Sequence, residues 1–240
     1  MTEHIVSAFE DELTGLGTKI AQMGGMAEEA LALAIEALEK HDTALASRVI
    51  DGDTRIDRLE REIEEQAIVM IARRQPMALD LREIMVAIRI AAVLERAGDL
   101  AKNIAKRAFA LDAETYPKSI IAGLTRMGRL ALRQLKDVLD AYAQRDAVKA
   151  LEVWGADQEV DDMYNSMFRE LLTYMMEDPR NIGICTHLLF GAKNLERIGD
   201  HATNIAENVY YLVHGEPIEA ERPKGDLTSV TPIDYLETDE

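Results

Sequence analysis

Apolar residues recur at spacings of three and four along nearly the whole chain, the signature of helices that each bury one face. The pattern predicts six helices, over 3–40, 43–74, 77–111, 117–144, 146–177 and 181–213. Turn signals separate them. "KHD" at 40–42 and "QRD" at 144–146 close the first and fourth, and each offers an Asp (Asp42, Asp146) to cap the next helix. "RRQP" ends the second, "TYP" parts the third from the fourth, and "EDPRN" ends the fifth. Gly24 and Gly25 weaken the middle of the first helix and mark a candidate bend. Few stretches alternate as strands do, so the expected fold is all-α.

The pattern also repeats itself. "QMGGMAEEAL" begins at 22 and "RMGRLALRQL" at 126, and Asp42, Asp53 and Asp57 recur 104 residues later as Asp146, Asp157 and Asp161. Past the second helix the offset becomes 101, and "LERAGDLAKNIAK" (94–106) faces "LERIGDHATNIAE" (195–207). The chain therefore reads as a six-helix protein made of two tandem, pseudo-symmetric three-helix bundles. The first spans 1–113 and the second 114–215. Residues 216–240 carry eight acidic and two basic side chains with three prolines and no helical period, which reads as an acidic, mobile tail or docking segment.

Composition narrows the function. Hydrophobic residues are 48% of the 240, enough for a large core, and aromatics only 5%, which suits helices. The net charge of −17 and the lack of a basic cluster exclude a nucleic-acid footprint and disfavour anionic lipid. Multivalent cations or basic patches on a partner are the natural counterparts. The single cysteine, Cys185, sits in an apolar context as a buried thiol, and one cysteine fits a reducing compartment. The acidic N-terminal stretch lacks the order of a signal peptide, and no apolar run approaches the roughly 20 residues of a membrane span. A soluble, cytoplasmic protein is expected.

The chemistry lies in columns of carboxylates. Residues four apart share a helix face about 6 Å apart along the axis. Glu95–Asp99 and Glu196–Asp200 are such pairs on the third helix of each unit, and Asp53–Asp57 and Asp157–Asp161 are such pairs near the start of each second helix. Consecutive antiparallel helices put both pairs at one end of a unit, with Asn103 or Asn204 close by and Arg96 or Arg197 alongside. Four carboxylates in one groove repel one another and call for a cation. All-oxygen ligands suit Mg²⁺, Mn²⁺ or iron, with Ca²⁺ as a further candidate and Zn²⁺ ranked lower.

The competing account is a solvated helix face with local ion pairs, since Arg96 and Lys102 flank Asp99. Against it stand the recurrence on two helices in both units and the loss of the basic neighbour in the second copy, where Thr203 replaces Lys102. Gly98 and Gly199, one residue before each Asp, signal either close helix approach or room for a ligand. Arg82, Arg89 and Arg96 form a seven-residue series whose expected role is salt bridging, with phosphate as the other option. His201 has no counterpart in the first unit, and the other histidines show no ligand spacing.

No phosphate-cradling glycine loop, nucleophile elbow or Cys-x-x-Cys occurs, and the Glu-x-x-His pairs of ferritin-like di-iron bundles are missing. Two units, each with "D-x-x-x-D" on its second helix and "LER-x-GD-x-A-x-N-I-A" on its third, resemble the PhoU family over about residues 5–213. The resemblance implies a six-helix, two-repeat bundle that binds metal clusters through Asp53, Asp57, Glu95 and Asp99, and through Asp157, Asp161, Glu196 and Asp200. It further implies a cytoplasmic homodimer that meets membranes only through protein partners. Those partners would be the phosphate ABC transporter, through its ATPase subunit, and the sensor histidine kinase of the phosphate regulon. The implied role is negative regulation of phosphate uptake and of the phosphate-starvation genes. "DLR" at 80–82 has become "NIG" at 181–183, so the two sites are expected to differ. The expected protein is thus a non-catalytic, metal-binding adaptor, with direct phosphate sensing left open. Its rivals are a carboxylate-bridged metalloenzyme and a metal-free structural adaptor.

Overall fold

The computed structural model describes residues 2–111 and 118–220. Among the described residues seven α-helices follow one another: α1 (Thr2–Lys40), α2 (Thr43–Arg74), α3 (Leu79–Arg107), α4 (Lys118–Gln144), α5 (Ala147–Gly155), α6 (Asp157–Glu177) and α7 (Ile182–His214). A 3-10 turn, Pro179–Asn181, leads into α7. No strand interrupts them among the described residues, as the sequence periodicity predicts. From residue 221 on, the acidic tail lies outside the described residues, as does the 112–117 connection on which the expected boundary between the units falls.

The turn chemistry acts as the sequence suggests. Asp42 accepts from the backbone N–H groups of Ala44 (2.9 Å) and Leu45 (3.0 Å), satisfying donors that the first turn of α2 leaves unpaired. Asp146 does the same for Val148 and Lys149, each at 3.0 Å. The preceding residues, His41 and Arg145, both take left-handed backbone angles (φ 54° and 52°), so the two copies share one turn. Gly215 at φ 84° closes α7, its N–H donating to the Tyr211 carbonyl at 2.9 Å.

Within the first unit α1, α2 and α3 pack on one another, and in the second α7 packs on α4, α5 and α6. The units join through α3 against α7 and α1 against α4, and one continuous apolar core runs through both. α1 runs as one unbroken helix through Gly24 and Gly25. Gly24 is there for close approach, because a Cβ on it would lie 2.9 Å from Leu139 of α4. A Cβ on Gly128 of α4 would likewise lie 2.7 Å from Ile35 of α1. Each of these residues is displaced by 104 from its mate, so the α1–α4 seam is a pseudo-two-fold contact of the duplicated chain. Cys185 is buried in the core, as expected.

Two expectations change. The helix predicted over 146–177 is two helices, because at Ala156 the backbone turns to φ −81°, ψ −3° and its N–H is shared between the carbonyls of Glu152 and Val153. Gln134 of α4 supports the break by donating from Nε2 to the Ala156 carbonyl at 2.8 Å. The arginine series does not serve salt bridges throughout. Arg82 and Arg89 set their guanidiniums 5.5 and 5.7 Å from the centre of the Tyr211 ring, and Arg82 also donates to the Leu212 carbonyl at 3.4 Å. These two residues tie α3 to the end of α7.

Candidate metal centre

In the first unit α2 and α3 bring the expected acids together. Asp53 is buried, at 4% exposure, while Asp57, Glu95 and Asp99 are half-buried. The Glu95 carboxyl is held above its ordinary range, first by burial and then by the negative charge of Asp99, Glu60, Asp57 and Asp53. Glu60 is itself raised by burial and by Glu64 and Asp57, against the pull of Arg61 and the exposed Arg96. Glu60 thus belongs to this cluster although the two units do not share it. It lies one helical turn after Asp57, and its counterpart in the second unit is Tyr164.

Lys102 supplies the positive charge. Its Nζ bonds Asp53 closely and reaches Asp99 at 3.3 Å, and the Asp53 bond above all raises its pKa. Asn103 accepts from Lys106 Nζ at 3.3 Å through its side-chain oxygen. Gly98 resolves toward packing: a Cβ there would lie 2.9 Å from Ile56 Cδ1.

The second unit uses the same scaffold differently. Asp157, Asp161 and Glu196 are buried, at 2%, 3% and 5% exposure, and Asp200 and Asn204 are half-buried. Asp157 is the first residue of α6, where the helix dipole favours a negative charge. Thr203 lies within hydrogen-bond distance of both Asp157 Oδ1 (3.2 Å) and the Gly199 carbonyl (3.1 Å). Its single hydroxyl proton serves one of them at a time. Lys193 donates to Glu196 Oε1 at 2.9 Å and lies 4.8 Å from the centre of the Tyr164 ring. In the first unit Ala92 stands in the place of Lys193. The two lysines therefore enter from different turns. Arg197 is exposed, beside the column and outside it.

The donors suit a hard cation, since crowded carboxylates raise one another's pKa and the first unit has already drawn an ammonium among them. Among the described residues no three His, Cys, Asp and Glu side chains stand arranged to hold an ion. An ion in the first unit would have to displace Lys102 and draw Asp53, Asp57, Glu95 and Asp99 inward. A cleft of about 770 Å³ between α1 and the end of α4, lined by Glu28, Asp140 and Tyr142, is separate from both columns.

This duplicated arrangement has known counterparts. The family model described as the PhoU domain matches the chain twice, over residues 20–108 and 124–209. The chain belongs to the PhoU family. A relative from Rhizobium meliloti (strain 1021), named phosphate-specific transport system accessory protein PhoU homolog, is 58% identical, covering 94% of this chain and 95% of its own. The Escherichia coli (strain K12) accessory protein PhoU is 40% identical over 90% of this chain and 89% of its own. Among solved structures, PhoU from Pseudomonas aeruginosa superposes with a TM-score of 0.82 at 39% identity, covering 87% of this chain and all of that one. The phosphate transport system regulatory protein PhoU from Streptococcus pneumoniae also gives 0.82, at 29% identity and 88% coverage of this chain. The all-α PhoU fold is therefore common to this chain and its relatives. No helix among the described residues is long and apolar enough to cross a membrane.

Proposed function

We propose that this PhoU-family chain is a cytoplasmic, non-catalytic accessory protein of phosphate transport that restrains uptake and keeps the phosphate-starvation genes repressed when phosphate is plentiful. The observation that carries this reading is likeness over nearly the full length to relatives named as accessory proteins of the phosphate-specific transport system. Its partners are the ATPase subunit of the phosphate transporter and a phosphate-sensing histidine kinase, and it works as a homodimer. Contact with the membrane runs through those proteins, because a chain of net charge −17 is repelled by anionic lipid. Each unit holds a hard cation, Mn²⁺, Mg²⁺ or iron, on its carboxylate columns, and the ion stiffens the face that meets a partner.

The regulatory claim is tested by an in-frame deletion of the gene and a reporter of a phosphate-starvation promoter in phosphate-rich medium. Derepression, reversed by the intact gene, is expected. Repression as tight as in the parent strain would sink it.

A further inference from the structure

The pseudo-two-fold seam between α1 and α4 finishes differently at its two ends. At one end Arg129 of α4 bonds Glu39 of α1 at 3.0 Å, and Ile121 is buried. The positions that match Arg129, Glu39 and Ile121 at the other end, displaced by 104, are Gly25, Ala143 and Gly17. The side chains that close the first end are thus cut back at the second. All three shortened residues line the cleft of about 770 Å³ there.

Packing within the chain does not account for the two glycines. Gly24 makes room for Leu139, but a Cβ on Gly17 or Gly25 would meet nothing within 4 Å. Each glycine costs helix stability relative to alanine. A missing side chain over open space lets a backbone from outside the chain lie close to α1.

Shape and charge select the occupant. Along α1 the cleft lining recurs every three or four residues from Glu10 to Glu28, about 27 Å at helical rise, so the cleft is a straight trough along one helix face. Leu13, Leu139 and Leu212 supply its apolar lining, and Glu10, Glu28, Glu83 and Asp140 its acidic lining. Arg145, the basic residue of the lining, is bonded to Glu83 at 2.6 Å. Lys149 reaches Asp140 at 3.4 Å and shares itself with Asp137 at 3.3 Å. Burial holds the Glu28 carboxyl above its ordinary range, with Lys136 pulling it down and Asp140 pushing it up. A cation set beside Glu28 would relieve that crowding.

We propose that this trough receives an amphipathic helix of a protein partner, its apolar face on the three leucines, its backbone close over Gly17, Ala21 and Gly25, and lysines or arginines beside Glu10, Glu28 and Asp140. The proposal rests on the adaptor part of the function above and gives it a surface, separate from the carboxylate columns of both units.

The test places a compact diazirine amino acid at Thr18, an exposed residue of the trough, in the full chain expressed in the deletion strain. Mass spectrometry then maps the crosslinked peptides. The expected product joins α1 to one segment of another protein, and that segment is basic with a helical apolar period. The product should vanish with Gly17→Leu plus Gly25→Leu, which fill the trough without changing charge. It should fall several-fold with Glu28→Gln plus Asp140→Asn. Circular dichroism checks that each variant folds; if the leucine pair does not, the neutralised pair decides, since it removes crowding and adds no volume. A product joining two copies of this chain, a partner segment without basic residues, no product, or a product that the variants leave unchanged would each overturn the proposal. The phosphate-starvation reporter separates this reading from the regulatory one. Derepression by the deletion, with full repression by the folded leucine pair, leaves the regulatory function standing and the trough unused. No derepression by the deletion removes the regulatory function, while a mapped crosslink would still establish the docked helix.

Discussion

Replacing Lys102 by Met isolates what the ammonium does for the first unit. Asp53 keeps 4% of its side-chain surface exposed, and Lys102 keeps 26%. Losing one partner of a fully buried ion pair costs roughly 3–5 kcal/mol, because a charge is left in the interior without compensation. Water reaches the lysine end here and screens part of that loss, so about 2 kcal/mol is the expected destabilisation of Lys102→Met. For a chain of this size that lowers the melting temperature by about 4–8 °C. The assay is thermal unfolding followed by circular dichroism, in EDTA so that no ion can take the place of the ammonium. Excess Mn²⁺ should return part of the loss. The double variant Asp53→Leu with Lys102→Met removes both charges and should unfold within about 1 kcal/mol of wild type, since an apolar pair of similar volume replaces a buried ion pair at little cost. A Lys102→Met protein as stable as wild type in EDTA would refute the reasoning, for it would mean that Asp53 is not held by Lys102.

Asp42→Ala and Asp146→Ala should each cost about 1 kcal/mol by losing a cap, and the double variant should cost their sum, because the turns belong to different units; urea unfolding measures this. Gly128→Ala places a methyl group 2.7 Å from Ile35 and should destabilise by about 1–2 kcal/mol after its gain in helix propensity. Gly17→Ala, with nothing within 4 Å, should stabilise by about 0.5–1 kcal/mol; the opposite order would contradict the close α1–α4 seam. Burial pushes the Cys185 thiol above its usual range, so at pH 8 little thiolate forms. Its reaction with a disulfide reagent should be far slower in the native protein than in denaturant, and equal rates would show that the α7 core opens readily.

Much of the architecture was legible because helical periodicity and caps are local. Asp42 and Asp146 announce their helices within three residues, and the offset of 104 announces the duplication. What stayed hidden depends on contacts between distant segments. The break at Ala156 was masked because Gly52, its counterpart, lies inside an unbroken α2; the difference is the amide of Gln134 arriving from α4. Arg82 and Arg89 looked like partners for acids, and only the docking of α7 brings Tyr211 to them. Glu60 was hidden because the two units do not share it: its counterpart is Tyr164.

Shared residues, Asp53 with Asp157 and Glu95 with Glu196, say what both copies must do: gather carboxylates at one end of a three-helix unit. Residues that differ say how each copy manages the charge so gathered. The first adds Glu60 and answers with Lys102 at Asp53; the second puts Tyr164 in place of that acid and brings Lys193 to Glu196 instead. A buried carboxylate needs compensation in either copy, but the location of the ammonium decides which carboxylate is left to other partners. In the first unit the lysine is on Asp53, the acid that α2 offers to the groove. In the second it sits on Glu196 of α7, and Asp157 has the Thr203 hydroxyl within hydrogen-bond distance. Similar donors with differently placed lysines need not bind an ion alike: an ion in the first unit would compete with the ammonium bonded to Asp53, and one in the second with the ammonium bonded to Glu196.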